Sequence, residues 1–163
     1  MTPLHRPRRD HAIGPRAART LPRILDVVPH RPPMLLLDEI VAWDGERVEC
    51  RVVLRDDSPF VEGGRVASTL AIEYMAQCIA VFVGLEAHYR GSPIPLGYLV
   101  GAREISLPAD GFRVGDALSV EASPIWGGET LGSFRCKVER MGEVVARGAL
   151  NVYRGELREL ARS

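Results

Sequence analysis

Residues 68–88 read STLAIEYMAQCIAVFVGLEAH and form a long, largely apolar stretch. This stretch contains no proline, and its first glycine is Gly84. Apolar side chains occur on nearly every face, which predicts a helix buried on all sides rather than a surface helix with one apolar stripe. Glu73 and Gln77 interrupt the stretch four positions apart, and therefore on one face. A carboxylate in a buried helix is costly unless it has a partner or a chemical role.

The segments on either side of this helix have the pattern of β-strands. We expect two strands before the helix and four after it, joined by turns that contain Gly, Asp and Pro. A short helix over 21–28 should precede them, and Ser68 is the expected N-cap of the central helix. This arrangement indicates an α+β domain whose sheet curls around the helix, with a second subunit closing the far side. The predicted strands cover residues 34–43, 48–54, 96–107, 116–125, 130–140 and 143–153.

The composition limits the class of protein. The 163 residues include 46% hydrophobic residues and carry a formal net charge of zero. These values fit one ordinary globular domain with no general attraction to nucleic acid or membrane. Arginines are concentrated in residues 1–20, which we expect to be a disordered basic extension; a nucleic-acid-binding arm or a transit peptide is the alternative. The folded domain is expected over 21–156, followed by a tail over 157–163.

Two features argue against a membrane protein and against a metal or disulfide framework. The uninterrupted apolar run at 78–85 is much shorter than the ~18 residues of a membrane span, and the helix carries Glu73. Cys50, Cys78 and Cys136 are widely spaced and odd in number. Such cysteines indicate buried free thiols of a cytoplasmic protein, so we expect no metal site.

Three motifs occur in order between residues 24 and 153. They read VPHRPPMLLLDEIV at 28–41, SPFVEGG…LAIEYMAQ at 58–77, and GYLVGAREISLPADGFRVGD at 97–116. The motifs and their order resemble the hotdog-fold 3-hydroxyacyl-[acyl-carrier-protein] dehydratases. The resemblance is closest to the ApeP-like branch, which is associated with aryl-polyene biosynthesis.

The resemblance implies a fold, a reaction and a set of partners. The fold is a curved antiparallel sheet wrapped around one long central helix. The reaction removes water from a 3-hydroxyacyl thioester and gives the trans-2-enoyl thioester, as in fatty-acid or polyene biosynthesis. Acyl carrier protein would deliver the substrate on its phosphopantetheine, with no separate cofactor. The expected assembly is a homodimer, or a heterodimer with another hotdog subunit.

One motif departs from the family pattern. Typical members carry a catalytic histidine in the loop shortly before the central helix, but this loop is shorter here and contains Gly63, Gly64 and Arg65. No histidine occurs between His30 and His88. His30 is therefore the candidate base, because imidazole exchanges protons near neutral pH. A turn-capping role or a subunit contact is the alternative for His30.

Glu73 is the candidate acid for the departing hydroxyl. Burial among Ile72, Met75 and Ala76 should favour its neutral form, which a proton donor needs. The alternative is a structural carboxylate held by an arginine or by backbone amides.

The remaining candidates would bind the thioester. The backbone N–H groups of Ser68 and Thr69 open the central helix, where the positive end of the helix dipole can stabilise an enolate-like oxygen. Gly101 resembles the family's tunnel-lining glycine, and a β-bulge is the alternative. Gln77 is a further expected substrate contact.

Other side chains would hold the acyl group and the carrier protein. Tyr74, Met75, Ile79 and Phe82 are expected to line the acyl tunnel, although an apolar helix face is more often core. Arg65, Arg90 and Arg103 are candidates to meet an acidic carrier protein near the entrance, with a solvated surface position as the alternative for each.

Two other functions remain open at this point. A hotdog thioesterase would use the helix carboxylate to activate water. A non-catalytic subunit of a heteromeric dehydratase would keep the tunnel but lack turnover, which the shortened histidine loop allows.

Overall fold

The structure of the chain is a computed structural model that describes residues 20–155. The predicted N-terminal extension up to residue 19 and the predicted C-terminal tail lie outside the described residues. A single 3-10 turn (Ile24–Asp26) precedes one helix, α1, and eight strands. The bounds are β1 (Glu39–Trp43), β2 (Val48–Val53), β3 (Arg65–Ala67), α1 (Leu70–Arg90), β4 (Gly97–Ser106), β5 (Gly111–Arg113), β6 (Ala117–Gly127), β7 (Leu131–Arg140) and β8 (Glu143–Arg154).

Six strands form one antiparallel sheet in the order β1-β2-β6-β7-β8-β4. α1 packs against β2, β6, β7 and β8 on one face of this sheet. Side chains that point from the middle strands to the helix, such as Val120, Val138 and Leu150, are fully buried. The predicted hotdog architecture is confirmed, since one central helix is wrapped by a curved antiparallel sheet.

The central helix lies in the core, as its all-round apolar sequence predicts. It starts at Leu70 with Thr69 as the N-cap residue, so the predicted N-cap at Ser68 is one residue too early. It ends at Arg90, and the C-cap residue Gly91 has a φ of 68° that lets its N–H donate to carbonyls of the last turn. By length and composition alone α1 could cross a membrane, but 67% of its most apolar 18-residue stretch is buried inside the fold.

Two short strands, β3 and β5, pair in a separate ribbon that the sequence did not predict. They lie in segments rich in Gly, Asp and Pro, where local signals favour loops. The predicted strand over 34–43 is ordered as a strand only from Glu39, and the predicted helix over 21–28 is only the 3-10 turn. Both segments instead pack as irregular chain along α1.

Cys50, Cys78 and Cys136 are buried free thiols, as predicted. Burial raises the pKa of Cys136 to about 12. Burial also raises the pKa of Cys78 well above its ordinary value, with a contribution from the neighbouring Cys50. Residues 20–155 contain no group of three His, Cys, Asp or Glu side chains that could hold a metal ion.

Candidate active site

A cavity of about 280 Å³ lies between α1 and the end of the sheet formed by β4 and β8. His30 and Glu73 both line it, although they are 43 positions apart in sequence. Tyr98 and Arg154 also line the cavity, but the rest of the wall is mostly apolar, so His30 and Glu73 line a space suited to an acyl chain. The apolar wall includes Ala76, Ile79, Ala80 and Val83 from the helix, with Leu99 and Val152 from the sheet.

Glu73 lies in the first turn of α1 and is half-buried. It is therefore less enclosed than the sequence predicts. It also lines a second, more open cavity of about 700 Å³, which includes Thr69 and Arg65. Within residues 20–155, Glu73 makes no ion pair, and its carboxylate oxygen Oε1 accepts a hydrogen bond from Gln77 Nε2 at 2.9 Å. The alternative of a carboxylate held by an arginine therefore finds no support in the described part of the chain.

Gln77 is 1% exposed and makes three hydrogen bonds. Its Oε1 accepts from the backbone N–H of Leu36 at 2.9 Å, and its Nε2 donates to the carbonyl of Met34 at 2.8 Å and to Glu73. Because a backbone N–H can only donate, the contact with Leu36 determines which amide atom is oxygen. Glu73 Oε1 must then be an acceptor, so a proton on Glu73 resides on Oε2. Gln77 positions Glu73 and is not on the cavity wall, contrary to its predicted contact with substrate.

His30 lies in the turn between the 3-10 turn and β1. The guanidinium of Arg31 donates from Nη1 to the carbonyls of Val28 and His30, both at 2.8 Å, and so ties this turn together. The peptide bond between Pro32 and Pro33 is cis. His30 Nδ1 is buried and has no hydrogen-bond partner among the described residues.

Of the four predicted tunnel residues, Ile79 lines this cavity, whereas Tyr74, Met75 and Phe82 do not. Tyr74, Met75 and Phe82 are instead almost fully buried in the core. Tyr74 lines a different cavity beside Asp38, and burial, with the charge of Asp38, raises its pKa to about 12. Apolar character alone did not mark which side of α1 lines the cavity.

The predicted oxyanion residues are partly separated from the cavity. Thr69 lines the second cavity together with Glu73, so the start of α1 is close to the carboxylate. Gly101 does not line the cavity; the register of β4 shifts between Leu99 and Gly101, which is a β-bulge. The bulge alternative for Gly101 is therefore the one observed.

The three predicted carrier-protein contacts occupy different surroundings. Arg65 lines the second cavity. Arg90 is at the opposite end of α1 and pairs with Glu86 at 3.5 Å. Arg103 is exposed on β4 and does not line either cavity.

A comparison with protein families decides the relationship. Residues 22–162 match the model of the ApeP-like family, described as ApeP dehydratase. The chain belongs to the ApeP-like dehydratase family. The predicted family, its ApeP-like branch and the dehydratase class are thus confirmed.

Two individual proteins support the ApeP-like assignment. The dehydratase heterocomplex ApeI:P from Xenorhabdus doucetiae superposes with a TM-score of 0.82 at 31% identity, covering 88% of this chain and 97% of that chain. A 3-hydroxyacyl-[acyl-carrier-protein] dehydratase FabZ from Caldicellulosiruptor bescii is 29% identical over 134 residues, which is 78% of this chain and 93% of the relative.

More distant structures share only the fold of this ApeP-like chain. A hypothetical thioesterase with coenzyme A from Streptococcus pneumoniae superposes with a TM-score of 0.55 at 14% identity, covering 72% of this chain and 84% of that chain. Identity this low carries no statement about activity. The fold likeness therefore gives no support to hydrolysis by the ApeP-like chain.

Sequence reasoning missed the cavity residues Ala76, Ala80 and Tyr98. A signal was present for two of them, because Ala76 and Ala80 are small, four positions apart, and on the side of α1 that carries Glu73. Tyr98 comes from β4, and only the pairing of β4 with β8 brings it to this place.

Proposed function

We propose that this chain removes water from 3-hydroxyacyl thioesters carried by acyl carrier protein, with His30 as base and Glu73 as acid. The observation that carries the proposal is that both side chains line one apolar cavity within a single chain. We expect a thioester in that cavity to contact the imidazole and the carboxyl group together, as concerted proton transfers require.

The elimination moves two protons and breaks one carbon–oxygen bond. His30 takes the proton from the carbon next to the thioester carbonyl, and the electron pair forms the new carbon–carbon double bond. Glu73 donates its Oε2 proton to the 3-hydroxyl, which leaves as water. Proton transfer from the imidazolium to the carboxylate, directly or through water, restores both groups. The elimination is redox-neutral and requires no redox cofactor.

The thioester oxygen gains negative charge while the α-proton leaves. The start of α1 is the proposed place for this oxygen, because Thr69 and Glu73 line the same open cavity. The unpaired N–H groups and the positive dipole end of a helix start stabilise such charge. Burial of the acyl chain against the apolar wall would hold the carbon to be deprotonated near His30.

The relatives support a set of partners for this reaction. FabZ is named for a substrate on acyl carrier protein, and ApeI:P is a heterocomplex. We infer that acyl carrier protein delivers the substrate here and that a second hotdog chain, identical or different, pairs with this one. A cytoplasmic location fits both a carrier-bound substrate and the three unpaired cysteines.

The test is the conversion of a 3-hydroxyacyl carrier protein, followed by mass spectrometry. We expect the intact carrier to lose one water, with no release of free thiol. His30→Ala and Glu73→Gln should each lower kcat by about 100-fold or more if they transfer protons in the transition state. His88→Ala is the matched control, since His88 is exposed near the far end of α1. Thiol release without enoyl product would replace this proposal with a thioesterase.

A second function is favoured by the match to a heterocomplex. In such an assembly the chain could support a catalytic partner instead of reacting itself. The purified assembly distinguishes the two cases. If His30→Ala and Glu73→Gln leave its rate unchanged, this chain is the supporting subunit.

A further inference from the structure

The chain segment that carries His30 touches α1 through its backbone at Gly84. A Cβ atom added to Gly84 would lie 1.7 Å from the carbonyl oxygen of Val27 and 2.7 Å from its carbonyl carbon. Real Cβ contacts essentially never fall below 3.0 Å, so any side chain at this position would push the backbone of Val27 away by more than 1 Å. The clash is with backbone atoms, and no rotamer change could relieve it. Only glycine permits this close approach of α1 to the backbone of Val27.

The same segment is attached to α1 a second time through Gln77, which bonds the backbone of Met34 and Leu36. Gln77 and Gly84 are seven positions apart, which is about two turns or about 10 Å along one side of the helix. His30 lies in the chain between these two attachments and reaches the cavity over Ala80 and Val83.

Arg31 connects the Gly84 contact to His30. Its guanidinium bonds the carbonyl of Val28, directly after Val27, and the carbonyl of His30 itself. The backbone from Val27 to His30 is thereby tied together, so a shift at Val27 is passed to the imidazole. In contrast to Glu73, whose Oε1 is held by Gln77, the His30 ring has no described side chain that orients it.

We propose that Gly84 and Arg31 are positioning residues that set where the His30 imidazole stands above the cavity. Neither residue lines the cavity, so neither touches the substrate there. The proposal rests on the proposed role of His30 as the base. A displacement of about 1 Å in a reacting group can reduce a rate by about 100-fold.

The first test compares Gly84→Ala with Gly128→Ala. Gly128 lies in the turn between β6 and β7, where an added Cβ would meet its nearest neighbour at 3.9 Å. For Gly84→Ala we expect kcat to fall by about 10–100-fold with KM changed less than about threefold, since the apolar wall remains. Gly128→Ala should keep the wild-type kcat.

The second test asks whether the loss acts through His30. Added to His30→Ala, Gly84→Ala should lower the residual rate no further, whereas a general structural defect would lower it again. Arg31→Met, at an exposed position, should show the same pattern and serves if Gly84→Ala does not fold. Full kcat in Arg31→Met, or a further loss in either double variant, would overturn the proposal.

An NMR measurement separates this proposal from the proposed reaction. The imidazole carbon-bound proton signal of His30, assigned by its loss in His30→Ala, should shift in Gly84→Ala and stay in place in Gly128→Ala. A shift without any dehydratase activity in the wild type would refute the reaction but keep the positioning role. An unchanged His30 signal in both Gly84→Ala and Arg31→Met would refute the positioning role.

Discussion

Replacing Gln77 with methionine tests the connection between α1 and the turn that carries His30. Methionine has nearly the same length as glutamine but is apolar, so the change removes hydrogen bonds and opens little space. Three partners lose their bond: the N–H of Leu36, the carbonyl of Met34 and the carboxylate of Glu73. The variant therefore measures what one buried amide contributes to the fold and to the site.

The expected magnitude follows from the surroundings of each partner. The N–H of Leu36 is left partly buried without an acceptor, which costs about 1–3 kcal/mol. Met34 and Glu73 are more accessible to water, and each loses a bond worth about 0.5–1.5 kcal/mol. The sum is about 2–6 kcal/mol, and rehydration of the accessible partners favours the lower part, about 2–4 kcal/mol. This is a large share of a total stability of about 5–15 kcal/mol.

Urea denaturation followed by circular dichroism is the measurement. With a slope near about 2 kcal/mol/M, Gln77→Met should lower the midpoint by about 1–2 M. Ser133→Ala is the control, because Ser133 is 0% exposed and its Oγ has no hydrogen-bond partner in the described part of the chain. Its removal breaks no described bond, so the midpoint should stay or rise. If Gln77→Met shifts the midpoint no more than Ser133→Ala does, the amide bridge argument is wrong.

Three further results are expected. Burial raises the pKa of Asp116, but the N–H of Arg113 and the guanidinium of Arg140 together lower it by more, so the pKa lies below its ordinary value. Its carboxylate therefore stabilises the fold above the ordinary pKa of 3.8, and this stability is lost as pH falls through the lower pKa of the folded state. Asp116→Asn should lower the free energy of unfolding by about 1 kcal/mol or less at pH 7. It should also flatten the acid limb of a curve of stability against pH. Cys78 and Cys136 should resist iodoacetamide at pH 8 until urea unfolds the chain, since burial raises the pKa of both thiols. Mass spectrometry detects alkylation, and alkylation before unfolding would contradict their burial. In Ala80→Phe the larger side chain should occupy much of the 280 Å³ cavity and lower kcat/KM for long acyl chains more than for short ones. Equal losses of kcat/KM for long and short chains would exclude this cavity as the acyl site.

The sequence alone was enough to predict the helix, the six strands of the main sheet and the family. These features depend on local patterns, namely an apolar stretch of helix length, alternating strands and three motifs in order. His30 and Glu73 were also predicted from the motifs, and the structure brings them to one cavity. Their catalytic roles remain predictions until the variants are measured.

Tertiary structure decided which side of α1 faces the cavity. Apolar character alone does not mark this side, so Tyr74 and Met75 were expected at the wall that Ala76 and Ala80 form. The small side chains on the side of Glu73 were the one local signal. The choice depends on how the sheet curves around the helix and where the N-terminal segment crosses it.

The sequence by itself determined that a buried helix would carry a carboxylate and that one histidine remained to accompany it. Only the fold decided that Gln77 would join α1 to the backbone of Met34 and Leu36, and that Gly84 would meet the backbone of Val27. The physical reason is that these contacts join residues distant in sequence, whereas sequence patterns report only the forces between neighbours along the chain.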